Sequence, residues 1–163
     1  MDFNHLLFSL EGRISRQPFW VGTAIVVLAS LVLTLALGHL FGVSPDEMIA
    51  KKRSVKAAKL DFLVNLIMFW PGFAITVKRL HDRDRNSTTA VLLYALFAVA
   101  SAMEVFGLNG SPQAPSMTYL GVVLTMVGIG LWMLVDLGFL KGSQGNNQYG
   151  PDPLTANQAT SKD

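Results

Sequence analysis

Four long apolar runs constrain this chain more than anything else in it. Phe19 to Phe41 holds no formally charged residue. As a helix rising about 1.5 Å per residue it is roughly 34 Å long, enough to cross a hydrocarbon core of about 30 Å. Leu60 to Val77, Thr88 to Phe106 and Tyr119 to Leu140 are the other three, with Asp61, Glu104 and Asp136 as their only formal charges. Lipid offers no water to backbone groups, so each run must close its own hydrogen bonds as a helix. None shows the alternation a barrel strand requires. Charged residues make up 15% of the chain, against about 25% in soluble domains, and the apolar surplus is clustered. The prediction is an all-α membrane protein with four transmembrane helices. At 163 residues it is read as one domain over 1–153, with a polar, disordered tail at 154–163.

The segments between the runs add detail. Phe3, Leu6, Leu7 and Leu10 fall at helical spacing and suit a short interfacial helix before the first span. Asp2 and Glu11 stand where a cleavable signal would carry positive charge, so the first run is expected to stay as an anchor. Ser44-Pro45-Asp46-Glu47 has the form of a capping box with proline in the first turn. A basic helical extension, Lys51 to Lys59, is therefore predicted to lead into the second span. Small residues recur at fourfold spacing: Ser30, Thr34 and Gly38; Ala98 and Ala102; Gly121 and Thr125. Such stripes let helices approach closely within a bundle.

Several function classes are weakly supported. The chain has no cysteine, which removes disulfides and thiolate chemistry. Its net charge of +2 is too small to suggest nucleic acid. His5, His39 and His81 have no metal-ligand spacing, and H-E-x-x-H, G-x-S-x-G and P-loop patterns are missing. No cofactor and no enzyme activity are expected.

Three polar motifs flank the runs. Phe8-Ser-Leu-Glu-Gly-Arg-Ile-Ser-Arg-Gln-Pro-Phe-Trp20 precedes the first span. Val77-Lys-Arg-Leu-His-Asp-Arg-Asp-Arg-Asn86 lies between the second and third. Lys141-Gly-Ser-Gln-Gly-Asn-Asn-Gln-Tyr-Gly-Pro-Asp-Pro153 follows the fourth. In this order, each beside an apolar run, they resemble the family called domain of unknown function 805, small bacterial inner-membrane proteins. The resemblance covers about Phe8 to Pro153. The chain departs from it at Arg83-Asp-Arg-Asn, where a small glycine-containing turn is more usual. The resemblance implies a multi-pass inner-membrane protein with both termini cytoplasmic, and no established activity.

Charge gives the same orientation by a narrow margin. With the N-terminus inside, Arg13, Arg16, Lys78, Arg79, Arg83, Arg85 and Lys141 are cytoplasmic, against Lys51, Lys52, Arg53, Lys56 and Lys59 outside. All three motifs then share one membrane face. Arg13 and Arg16 are placed to bind lipid phosphate, and Asn86 or Ser87 to cap the third span. Gly145, Asn147, Tyr149, Gly150 and Pro153 form a turn motif, with Tyr149 as an interface anchor. A polar cluster of Arg13, Arg16, Arg79, His81, Asp82 and Asp136 is predicted at this face, Asp136 pairing with Arg79 or Arg13. A structural ion network is favoured over an active site. His81 beside Asp82 is either a proton-relay pair or a plain helix-terminal pair. The leading hypothesis is a non-enzymatic protein that engages anionic lipid or a membrane-protein partner through this face, with homo-oligomerisation open. The alternative is a small transporter or channel component that uses its intramembrane acids.

Overall fold

The computed structural model describes residues 2–44, 47, 55–111 and 114–155. Its elements are α1 (Phe3–Phe8), α2 (Arg16–Phe41), α3 (Val55–Asp82), α4 (Thr88–Val105) and α5 (Met117–Met133). The last continues without a break into a π-helical turn, Leu134–Phe139. A two-residue hairpin, β1 (Gly110–Ser111) with β2 (Ala114–Pro115), joins α4 to α5. Helices α2, α3 and α4, and α5 with its π turn, are each long and apolar enough to cross a membrane. The chain thus has the four predicted transmembrane helices.

Local chemistry sets the helix ends. Asp2 accepts from the Asn4 and His5 amides at the start of α1. Asn86, rather than Ser87, supplies the oxygen for the start of α4, accepting from Thr88 N–H at 3.2 Å. Ser116 accepts from Tyr119 N–H to open α5. Gly42 ends α2 in the left-handed conformation that suits glycine. The Ser44 and Glu47 side chains cap each other's amides at 3.2 and 2.9 Å, which completes the predicted box. Pro45, Asp46 and residues 48–54 lie outside the described residues, so of the basic extension only Lys56 and Lys59 are seen, both in α3. Most of the tail, from residue 156 on, also lies outside them.

Helix α2 buries Phe19, Gly22 and Gly38 and leaves Val27, Leu28, Leu31, Val32 and Leu35 exposed. A helix apolar all round suits lipid contact. Helix α3 is the central element. Its inward stripe runs Ala57, Leu60, Val64, Pro71, Ile75, Lys78 and Asp82, so the last two positions of an apolar stripe are charged. The helix continues through Pro71 and past Val77 to Asp82, five residues beyond the predicted span. Gly22 lets α2 approach closely, since a Cβ there would come within 2.9 Å of Ile75. By contrast, a Cβ on Gly121 would meet nothing within 4 Å, so that small residue does not serve a helix contact.

Helix α1 packs against α2 and α3. Leu6 is buried beside Phe19 and Ile75, with Leu7 and Leu10 against the same cluster, while Phe3 stays exposed. Lys78 fastens it, donating from Nζ to the carbonyls of His5 and Leu6. Trp70 Nε1 donates to Phe8 O at 3.0 Å.

Candidate functional site at the charged end of the bundle

Arg13, Arg79 and Asp82 form a buried latch where all three motifs meet. Their side chains are at most 3% exposed. Asp82 lies on the buried stripe of α3, and Arg79 sits one turn before it on the same helix. Arg13 Nη2 reaches Asp82 Oδ1 at 3.1 Å, and Arg79 Nη1 pairs with Asp82 Oδ2. Two guanidinium groups against one carboxylate leave the latch one net positive charge.

Backbone carbonyls take the remaining donors. Arg79 Nε donates to Leu137 O and Nη2 to Leu140 O, each at 2.7 Å, and Nη1 to Ile14 O at 3.3 Å. Arg13 donates to the carbonyls of Ser143 at 2.6 Å, Gly145 at 2.7 Å and Gly150 at 3.2 Å. A helix leaves its last four carbonyls without internal partners. The π turn offers its terminal carbonyls outward, and α2 and α3 supply donors for them. Besides Arg79, Trp20 Nε1 donates to Gly138 O at 3.1 Å and Arg16 Nη1 to Phe139 O at 3.2 Å. The Trp20 ring lies where a Cβ on residue 138 would stand, 2.7 Å from that position, so glycine is required there.

The C-terminal motif closes the end of α3 in the same way. Ser143 N–H donates to Asp82 O at 2.7 Å, and Asn147 Nδ2 to His81 O at 2.8 Å. Asp152 accepts from Gly145 N–H at 3.2 Å and Leu154 N–H at 2.9 Å, which folds residues 145–152 into a hook. Gly145 and Gly150 take positive φ in that hook. Asp84 takes φ 55° after α3, a conformation aspartate tolerates better than most non-glycine residues. It fills the position where the sequence departs from the glycine-containing pattern.

Several predicted contacts are replaced by others. Arg13 does not reach out to lipid phosphate; it is buried in the latch, and so is Arg79. Asp136 pairs with neither of them. Arg83 Nη2 reaches Asp136 Oδ1 at 3.2 Å and Arg85 Nε lies 3.4 Å from Oδ2, because Asp136 faces the connection between α3 and α4. Arg85 also lies over the Trp132 ring, 5.2 Å from its centre. His81 does not work with Asp82, whose oxygens are taken by arginine; adjacent helical residues point apart. Its ring stacks on Tyr149 with centres 3.8 Å apart and planes 4° from parallel. His81 Nδ1 lies 3.3 Å from Gly12 O. Tyr149, predicted as an interface anchor, is spent on that stack.

Arg16 stays exposed, as does Lys141. Together they edge a cleft of about 770 Å³ whose walls carry both signs of charge, with Arg79 and the carboxylates of Asp82 and Asp152 beside Gln17, Trp20 and Ser143. Lys78, Arg83, Arg85, Ser143 and Asp152 also shape this end, and they were not singled out beforehand as site residues. The helical register of α3 identifies Lys78; the partners of Asp136 have no such signal. Among the described residues, no three histidine or acidic side chains converge as metal ligands do. At the opposite end Asp61, Asn65, Ser101, Glu104 and Tyr119 line a cavity of about 190 Å³, where Tyr119 Oη donates to Glu104 at 2.6 Å.

Comparison with known proteins finds relatives along nearly the whole chain. The chain is 30% identical to YiiR of Escherichia coli K12, an uncharacterised protein, over 93% of this chain and 90% of the relative. It is 24% identical to the inner membrane protein YhaH of the same organism, over 88% of this chain and 85% of the relative. With the inner membrane protein YhaI it shares 26% identity, over 92% and 88%. No solved structure matches it significantly. The model of the family described as protein of unknown function DUF805 matches residues 7–151, from α1 through the turn that carries Tyr149, and the chain belongs to that family.

Proposed function

We propose that this is a non-enzymatic inner-membrane protein that holds the phosphate of an anionic lipid in the cleft between Arg16 and Lys141, with both chain ends cytoplasmic. The observation that carries this reading is the division of labour among the cations. Arg13 and Arg79 are consumed by the latch, which keeps one surplus positive charge at the cleft although the Asp82 and Asp152 carboxylates also line it. Arg16 and Lys141 remain at the surface, beside Trp20, a residue type that favours the headgroup level. Of the intramembrane acids that a transporter or channel reading would use, Asp136 is already held by Arg83 and Arg85 and Glu104 accepts from Tyr119, which favours the lipid reading.

Each basic residue near an anionic membrane surface contributes about 1 kcal/mol of attraction. Arg16→Ala with Lys141→Ala should therefore lower the phosphatidylglycerol retained by the protein roughly tenfold or more. Native mass spectrometry of protein released from mixed phosphatidylethanolamine and phosphatidylglycerol membranes reads this directly. Phosphatidylethanolamine retention and thermal stability should not change. Undiminished phosphatidylglycerol would shift the reading to a protein partner on the same face.

The orientation has its own test. The chain lacks cysteine, so single cysteines at Glu11, Ser87 and Asn146 are unambiguous labels. All three should resist a membrane-impermeant maleimide in intact cells and react after the membrane is opened. Labelling of any of them from outside contradicts a cytoplasmic charged end.

A further inference from the structure

We infer that a lateral groove between α2 and α5 holds one acyl chain of the lipid whose phosphate occupies the Arg16–Lys141 cleft; the identity of that lipid rests on the reading above. Helix α2 packs along α3, α3 along α4 and α4 along α5, but α2 meets the last helix chiefly at its π turn. Away from the charged end, α2 and α5 therefore stand apart. The space between them is an apolar cavity of about 510 Å³, within the range of about 300–1,000 Å³ usual for small-molecule sites. All four spanning helices line it, with Val27, Met68, Phe97 and Gly130 among the walls. Gly130 keeps one rim open, since a Cβ there would meet nothing within 4 Å.

The order of groups along the bundle matches a phospholipid. Phe19 and Leu137 line the groove, while their sequence neighbours Trp20 and Gly138 line the cleft, so the Trp20–Gly138 contact stands between the two spaces and a lipid would have to pass beside it. Arg79 forms part of the cleft wall. Thr76, about one turn further into the membrane, lines the groove with Tyr94, whose hydroxyl is 3.4 Å from Thr76 Oγ1. Thr76 Oγ1 gives its own proton to Gly72 O at 2.8 Å, so Tyr94 is the donor in that contact and the pair is a polar spot on the groove wall. Deeper still the walls are mainly hydrocarbon, with Ser30 and Asn65 as the polar exceptions. Phosphate and chain would thus meet guanidinium and ammonium first, and mainly apolar side chains beyond them.

The test uses the full-length protein in vesicles of phosphatidylethanolamine and phosphatidylglycerol, the latter carrying a diazirine midway along one chain. Photolysis and peptide mapping should place crosslinks on Val27 and Phe97. Gly130→Leu fills the groove and should abolish them. Gly121→Leu, on the same helix and also facing open space, should leave them unchanged. Crosslinks spread evenly over the exposed helix faces, or surviving Gly130→Leu, would overturn the groove. Phosphatidylglycerol still retained through Arg16 and Lys141 with the groove unlabelled would overturn it too, and spare the headgroup reading. Equal groove labelling by a phosphatidylethanolamine probe would remove the headgroup reading and leave the chain site assigned.

Discussion

Asp82→Ala is expected to destabilise the protein by about 3–5 kcal/mol, the usual consequence of stranding a buried charge by removing its partner. Arg79 and Arg13 would keep their carbonyl acceptors, but carbonyls do not neutralise two guanidinium groups that are almost wholly enclosed. The effect is read as a fall in melting temperature of detergent-solubilised protein, followed by the fluorescence of its three tryptophans. Adding Arg79→Met to Asp82→Ala should recover part of the loss, because the second change removes the stranded charge and leaves the Arg13 guanidinium alone. A single Asp82→Ala variant as stable as the parent would show that the latch contributes nothing to the fold.

Gly142→Ala is expected to follow closely, at about 3 kcal/mol, the upper part of the range for overpacking. The backbone of Gly142 is not left-handed, so the cause is steric. A Cβ there would stand within contact distance of all three atoms of the Asp82 carboxyl group, its Cγ at 2.6 Å. The carboxylate can yield only by leaving Arg13 or Arg79. Gly145→Ala makes the comparison: its φ of 72° is strained for alanine, but an added Cβ meets nothing within 4 Å. That change should cost about 1–2 kcal/mol, the penalty of a left-handed residue alone. If both variants melt together, crowding against Asp82 is not what selects glycine at position 142.

The four crossings were legible because span length and backbone satisfaction depend on composition over about twenty residues, which the sequence displays directly. The meeting of the three motifs was legible too, since an even number of crossings returns the chain to one face. Partner choice within the cluster was not. Arg79 and Arg83 are one helical turn apart, and whether Asp136 meets one or the other depends on the rotation of the last helix, which the π turn alters. Nothing in Leu134–Phe139 marks that turn beforehand. The burial of Lys78 and Asp82 could have been found by extending the stripe of Leu60, Val64, Pro71 and Ile75 past the last apolar residue. Stopping the span at Val77, where hydropathy ends, hid that the same face carries on inward.

The latch also sets an order on biogenesis. Arg13 leaves the ribosome well before its acceptors at residues 143, 145 and 150, which follow it by 130 to 137 positions. Arg79 likewise waits for Leu137 and Leu140. A nascent chain arrested anywhere before residue 137 would sit in the bilayer with its guanidinium groups unclaimed by the carbonyls that finally bind them. Synthesis of residues 137–150 is therefore the event that shuts this end of the molecule.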